Sequence, residues 1–122
     1  MFQGLRTVVY HVADLAAAKA WYAGVLGYAQ YFDEPYYVGF AVGGFELGLV
    51  PDAAGGSIGG AYVYWGVPEI DAAATRLAEH GAVARGGVQD VGGGIKVAEF
   101  ADPFGNLLGV IVNPHFDVSV VR

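Results

Sequence analysis

The sequence predicts an α+β protein in which two tandem βαβββ modules curl into a half-barrel around a cavity. The first observation behind this prediction is an internal duplication. The segment VADLAAA at 12–18 returns as VPEIDAA at 67–73, a shift of 55 residues from Val12 to Val67. Each copy then runs on to a closing glycine, Gly27 or Gly81.

The second observation is that each half ends in apolar strand material followed by a proline, at Pro51 and Pro114. The duplication therefore spans nearly the whole chain. We expect one domain over 1–122, with a first module at about 1–54 and a second at about 60–114. Matching positions of the two modules are expected to face each other across the cavity.

The elements of the first module follow from local patterns. Residues 5–12 are rich in β-branched and aromatic side chains and predict a strand. Asp14 is placed to cap a helix whose apolar residues recur every three or four positions, and Gly27 supplies the left-handed residue that ends it. Strands are predicted at 28–32, 36–42 and 45–50, with a Gly43-Gly44 hairpin before the last of them.

The second module repeats the pattern after a glycine-rich crossing at 52–60. It predicts a strand at 61–67, a helix at 69–80 ended by Gly81, and strands at 82–88, 94–101 and 107–112. The glycine-rich segments 55–60 and 92–94 lack phosphate-binding spacings and are interpreted as loops at the cavity mouth.

Composition excludes several classes of partner. The formal charge of −6 leaves no basic face for nucleic acid or an anionic membrane. No apolar run approaches the roughly 18 residues that span a bilayer, and no export signal is visible at the start. We therefore expect a cytoplasmic protein. The 55% hydrophobic content is high for a small protein and indicates a cavity or a dimer interface.

The sharpest local motif is Asp102-Pro103-Phe104-Gly105-Asn106, which suits a type I turn. On its own it predicts a structural hairpin. Together with VADL at 12–15, WYAGVLG at 21–27 and the duplication, it resembles the vicinal oxygen chelate superfamily, which includes glyoxalases, bleomycin-resistance proteins and extradiol ring-cleaving dioxygenases. The resemblance covers almost the whole chain and implies a homodimer. In catalytic members it also implies a divalent metal held by side chains from four strands.

Carried over to this chain, the four metal-ligand positions of the family fall on Thr7, Glu46, Tyr62 and Gly109. Only Glu46 is a usual ligand, and a catalytic zinc needs about three protein ligands. We therefore expect no metal and no cofactor at this site. A relocated metal site near Glu46 and His11 is the alternative, although none of the three histidines has a metal-binding spacing.

Glu46 is the candidate catalytic residue. In an apolar cavity its carboxyl would lose hydration, so its pKa is expected to rise. This favours either a hydrogen bond to Tyr62 or Thr7 or a role as general base.

Three further groups of residues are candidates for ligand contact. His11 shares the parity of Thr7 on the first strand, and Glu99 faces the cavity in one of two strand registers. The strand aromatics, half of which should face the cavity, suit a flat ligand. His80 and His115 are interpreted as structural or solvated. The predicted ligand-binding set is Thr7, His11, Tyr37, Glu46, Tyr62, Tyr64, Glu99 and Gly109.

These observations predict a metal-independent small-molecule-binding protein that sequesters an aromatic or glycosylated toxic compound, as bleomycin-resistance proteins do. The alternative is a glyoxalase- or dioxygenase-like lyase, isomerase or dioxygenase, with a shifted metal site or with Glu46 as a metal-free general base. A third possibility is an interaction module whose cavity is filled by its own side chains.

Overall fold

A computed structural model describes residues 5–56 and 63–115 and confirms the α+β class. The first half contains β1 (Thr7–Val12), α1 (Leu15–Leu26), β2 (Phe32–Glu34), β3 (Tyr37–Val42) and β4 (Phe45–Pro51). The second half contains β5 (Tyr64–Gly66), α2 (Ile70–Glu79), β6 (Val83–Ala84), β7 (Gln89–Gly92), β8 (Ile95–Ala101) and β9 (Leu107–Val112).

Each half forms its own sheet. The first sheet has the order β1-β4-β3-β2, in which β1 and β4 are parallel and the other pairs are antiparallel. The second has the order β5-β9-β8-β6, with β7 also paired to β8, and here β5 and β9 are the parallel pair. The duplication in the sequence is thus a duplication of sheet topology.

The two faces of each sheet have different environments, because successive side chains of a strand alternate. One face packs under the helices and holds a shared core that includes Tyr10, Phe40 and Leu49 from the first sheet and Phe100 and Val110 from the second. The opposite face is called the open face here. Its residues are Thr7, Val9, His11, Tyr37, Gly39, Ala41, Glu46, Gly48 and Val50 in the first sheet, and Tyr64, Gly66, Val97, Glu99, Gly109 and Ile111 in the second.

The predicted limits of α1 are confirmed by its caps. The Asp14 side chain accepts a hydrogen bond of 3.0 Å from the Ala17 amide, which satisfies one free donor of the first turn. Gly27 ends the helix with a φ of 85°, a left-handed conformation that a glycine adopts without a steric penalty. Ala18 and Tyr22 are the buried residues of the apolar stripe.

Two strand predictions are wrong. Residues 28–31 form a turn rather than a strand, and pairing begins at Phe32, because the chain must reverse after Gly27 before it reaches β3. The predicted strand at 82–88 is only Val83–Ala84, since Gly86 has a φ of 89° that breaks the extended backbone. The strand β7, which the sequence did not predict, follows that break. The predicted strand at 61–67 is confirmed at 64–66, and its first two residues lie outside the described ranges.

The turn at 102–106 connects β8 to β9, and its side chains also form hydrogen bonds with the first half of the chain. The Asp102 side chain is 5% exposed and accepts hydrogen bonds from the Phe104 amide at 2.9 Å, the Asn106 amide at 2.8 Å and the Tyr22 hydroxyl of α1 at 2.5 Å. The side-chain amide of Asn106 donates to the His11 carbonyl at 3.0 Å. The motif therefore has a structural role that extends well beyond a local hairpin.

Two phenols in the shared core have displaced pKa values. Burial raises the pKa of Tyr10 to about 12, and the Asp102 charge adds to the rise while the hydrogen bond from Trp65 opposes it. Burial also raises the pKa of Tyr22 well above its usual value, and the adjacent Asp102 carboxylate acts in the same direction.

Neither α1 nor α2, the helices of the described ranges, is long and apolar enough to cross a membrane.

Candidate functional site

Glu46 lies on the open face of the first sheet, in the middle of three paired strands. The parallel register places it beside Thr7 of β1, and the antiparallel register places it beside Ala41 of β3. Its two carboxylate oxygens accept hydrogen bonds from two phenols: Tyr31 donates to Oε1 and Tyr37 donates to Oε2. The carboxylate is half-buried and has both oxygens occupied.

Tyr37 is held in place by the strand beside it. Its ring lies on Gly48 of β4, where a Cβ atom would stand 2.2 Å from the Tyr37 hydroxyl oxygen and 2.6 Å from Cζ. Gly39 pairs with Gly48 across the strands and lies under the same cluster, since a Cβ atom on Gly39 would stand within 3.5 Å of the rings of Tyr31 and Tyr37 and of the Glu46 carboxyl. Because the two glycines have no side chain, the tyrosine rings can lie directly over the backbone of the sheet.

A similar arrangement occurs on the open face of the second sheet. The ring of Tyr64 lies on Gly109 of β9, where a Cβ atom would stand 2.6 Å from the Tyr64 Cδ1 atom and 2.7 Å from the Val63 carbonyl oxygen. The Tyr64 hydroxyl donates to Oε2 of Glu99 at 2.6 Å, and Glu99 pairs with Gly109 across β8 and β9. Each sheet thus carries a tyrosine over a glycine with its hydroxyl on a glutamate.

His11 lies at the end of β1 on the open face. Its Nδ1 atom is 3.3 Å from Oδ2 of Asp52, and both side chains are nearly half exposed. Such an exposed pair contributes little to stability. The other two histidines have structural contacts: His80 Nδ1 lies 2.8 Å from the Arg76 carbonyl oxygen, and His115 Nε2 lies 2.7 Å from that of Gly93.

Seven of the eight predicted ligand-binding residues therefore lie on the open faces. They are Thr7, His11, Tyr37 and Glu46 in the first sheet and Tyr64, Glu99 and Gly109 in the second. Tyr62, the eighth, lies outside the described residues. The hydrogen bonds that the structure gives to Glu46 come from Tyr31 and Tyr37, and of the two predicted partners Thr7 is the register neighbour of Glu46 on β1.

Sequence reasoning missed Tyr31 and Asp52. Tyr31 lies in the turn before β2, where strand alternation predicts nothing about side-chain direction. The contact of Asp52 with His11 could have been predicted, because a parallel pairing of β1 with β4 brings the ends of the two strands together.

The family metal site does not fit these residues. Thr7 offers a hydroxyl beside Glu46, and the space in which a side chain at 109 would stand is filled by the ring of Tyr64. Within 5–56 and 63–115, no group of three histidine, aspartate or glutamate side chains converges as metal ligands would. The Glu46 carboxylate has phenols as partners where a divalent ion would need further nitrogen or oxygen ligands.

A groove of about 330 Å³ lies elsewhere, between α2 and the helix side of β8. Its lining is apolar and includes Ala74, Ala78 and Ala98. None of the predicted site residues that the structure describes lines this groove.

Two sheets of matching topology, each backed by a helix, form the paired-module architecture that the duplication in the sequence predicted. The chain belongs to the Glyoxalase/Bleomycin resistance protein/Dioxygenase superfamily, whose model matches residues 4–110. This confirms the resemblance that the motifs indicated. No curated protein sequence matches the chain significantly.

Solved structures share the fold over nearly their whole length. A lactoylglutathione lyase from Agrobacterium tumefaciens is 22% identical with a TM-score of 0.76, covering 94% of this chain and 98% of its own. A glyoxalase/bleomycin resistance protein from Catenulispora acidiphila is 24% identical with a TM-score of 0.67, covering 91% and 100%. A glyoxalase-related enzyme from Fulvimarina pelagi is 20% identical with a TM-score of 0.74, covering 93% and 90%. At these identities the likeness shows the fold alone.

Proposed function

We propose that the protein binds an aromatic small molecule on its open faces without a metal ion, and that it sequesters an aromatic or glycosylated toxic compound. The observation that carries this proposal is the pair of tyrosine–glycine–glutamate arrangements, Tyr37 with Gly48 and Glu46, and Tyr64 with Gly109 and Glu99. Each offers a ring for stacking and a carboxylate that accepts hydrogen bonds.

The charge of the open faces supports a ligand that donates hydrogen bonds or carries positive charge. Glu46 and Glu99 are acidic, and no lysine or arginine stands among the open-face residues of the described strands. The basic residue at one end, His11, is already paired with Asp52. Aromatic faces and carboxylates together attract organic cations.

The contacts of Glu46 limit binding and turnover in the same way. Both of its oxygens accept phenol hydrogens, so a ligand N–H donor, or a proton to be removed by a general base, reaches Oε1 only after the Tyr31 side chain moves aside. A glyoxalase- or dioxygenase-like enzyme with Glu46 as metal-free base remains the second candidate, favoured by the family and by the central position of Glu46.

We further propose that the protein acts as a homodimer in the cytoplasm. Both β1 and β5 are edge strands of their sheets among the described elements, and Leu5, next to β1, is 91% exposed. Val9 on the open face of β1 is also exposed. Exposed apolar side chains beside the edge of a sheet support pairing with a second copy.

The test is calorimetric titration of the full chain, treated with a chelator, with planar aromatic compounds in cationic, neutral and anionic sets. Glu46→Gln is compared with Glu79→Gln, which removes the same charge from an exposed position on α2. We expect stoichiometric binding, weakened about tenfold or more in Glu46→Gln and unchanged in Glu79→Gln. Equal affinity in the two variants would remove Glu46 from the site. Conversion of a bound compound, detected by mass spectrometry, would favour the enzyme instead.

A further inference from the structure

We infer that Tyr31 controls which ligands reach Glu46, because its hydroxyl occupies the carboxylate oxygen that a donating nitrogen of the ligand would take. The ligand class is an aromatic organic cation with an N–H donor, such as an amidinium. This inference rests on the proposed function and adds to it a residue that competes with the ligand.

The two phenols on Glu46 are not equivalent. Tyr37 stands in β3, with its backbone paired to Glu34 and its ring pressed on Gly48. The ring of Phe32 meets it edge to face at a centroid distance of 6.0 Å. Tyr37 therefore cannot leave Oε2 of Glu46 without losing these contacts, and it serves to position the carboxylate.

Tyr31 has a much less confined side chain. It lies in the turn before β2 and is 63% exposed while its hydroxyl donates to Oε1 of Glu46. Exposed side chains change rotamer in picoseconds to nanoseconds. A rotation of Tyr31 frees Oε1 and leaves the bond from Tyr37 to Oε2 in place.

The backbone around Tyr31 is held while its side chain is able to move. The Tyr31 amide donates to the Gly39 carbonyl at 2.9 Å. Two residues later, Asp33 accepts hydrogen bonds from Gln30 Nε2 at 2.9 Å within the turn and from Lys19 Nζ of α1 at 3.0 Å. The ring of Tyr31 thus pivots from a fixed point beside the carboxylate.

An aromatic cation suits the oxygen that this rotation exposes. A charged N–H donor forms a stronger hydrogen bond with a carboxylate than a neutral phenol does. The rings of Tyr37 and the displaced Tyr31 also present π-faces to positive charge. A neutral ligand lacks both advantages and competes poorly with the hydroxyl of Tyr31.

The experiment titrates benzamidinium, and its neutral analogue benzamide, into the full chain and three variants by calorimetry. Tyr31→Phe removes the competing hydroxyl, and Tyr37→Phe removes the positioning one. Tyr36→Phe is the matched control, since Tyr36 is 66% exposed and follows the same strand β2. Circular dichroism verifies that each variant is folded.

We expect the Kd of benzamidinium to fall about threefold to tenfold in Tyr31→Phe and to rise by a similar factor in Tyr37→Phe. Tyr36→Phe should match the wild type, and benzamide should bind more weakly throughout. A rise in Kd in Tyr31→Phe would show that Tyr31 contacts the ligand rather than competes with it, and an unchanged Kd would also overturn the inference. In both cases wild-type binding would leave the proposed function standing. Failure of the wild type to bind either probe or any aromatic compound of the panel would overturn both.

Discussion

Gly109→Ala is expected to destabilise the protein, whereas Gly66→Ala on the same face should not. Both glycines lie in paired strands of the second sheet, β9 and β5, and neither has a positive φ. A Cβ atom at 66 meets nothing within 4 Å. One at 109 stands 2.6 Å from the Tyr64 ring and 2.7 Å from the Val63 carbonyl oxygen.

The expected magnitudes follow from these contacts. Replacing a glycine by alanine where the backbone allows it stabilises a protein by about 0.4–1 kcal/mol, which is the expectation at 66. At 109 the ring of Tyr64 is able to shift, but the Val63 carbonyl accepts the Gly109 amide at 2.9 Å and cannot shift without loss of that bond. Overpacking costs about 1–3 kcal/mol and a lost hydrogen bond about 1 kcal/mol, so a net loss of about 1–3 kcal/mol is expected.

The assay is urea unfolding followed by tryptophan fluorescence and circular dichroism, with the slope checked for two-state behaviour. The midpoint for Gly109→Ala should fall and that for Gly66→Ala should hold or rise. If Gly109→Ala were as stable as Gly66→Ala, the close approach of Tyr64 and Val63 to Gly109 would be wrong, and with it the claim that the family ligand position is filled.

Two other predictions concern the shared core. Asp102→Ala should destabilise the protein by about 2–4 kcal/mol, because it leaves buried donors unpaired, whereas Asp90→Ala, which loses one exposed hydrogen bond to the Gly92 amide, should cost less than about 1 kcal/mol. Equal urea midpoints would contradict this. In the folded protein the pKa of Tyr10 is raised to about 12, and that of Tyr22 is also raised. The stabilisation of the folded state by these two buried phenols is therefore complete below pH 10 and is lost as the pH rises towards 12. Stability measured across that range should decline as unfolded tyrosines ionise, and a flat profile would refute the assignment.

The fold class could be predicted from the sequence, because the duplication is visible as a repeated pattern and the capping residues act within the helix end on which they lie. The helix α1 begins after Asp14 and ends at Gly27, as the pattern predicted. In the turn at 102–106, Gly105 has the expected left-handed conformation. Strand alternation predicted that half of the strand aromatics face the cavity, and the structure has Tyr37 and Tyr64 on the open faces.

The partners of Glu46 were beyond prediction, because they depend on contacts between segments of the chain. Tyr31 reaches the carboxylate from a turn whose direction is set by Lys19 and Asp33, and no periodicity encodes that contact. The face of Glu99 depended on register, which the pairing with Gly109 decides.

The arrangement at Gly109 shows that a coordinating side chain and an aromatic surface exclude each other at this position. A coordinating side chain at 109 and the ring of Tyr64 require the same space, since even a Cβ atom there lies 2.6 Å from the ring. The glycine that cannot bind metal is therefore the residue that admits the ring, and the ring in turn donates its hydroxyl to Glu99. Gly48 admits Tyr37 in the same way beside Glu46. On both sheets a glycine leaves room for a tyrosine ring, and this stacking surface is the physical basis for proposing an aromatic ligand here.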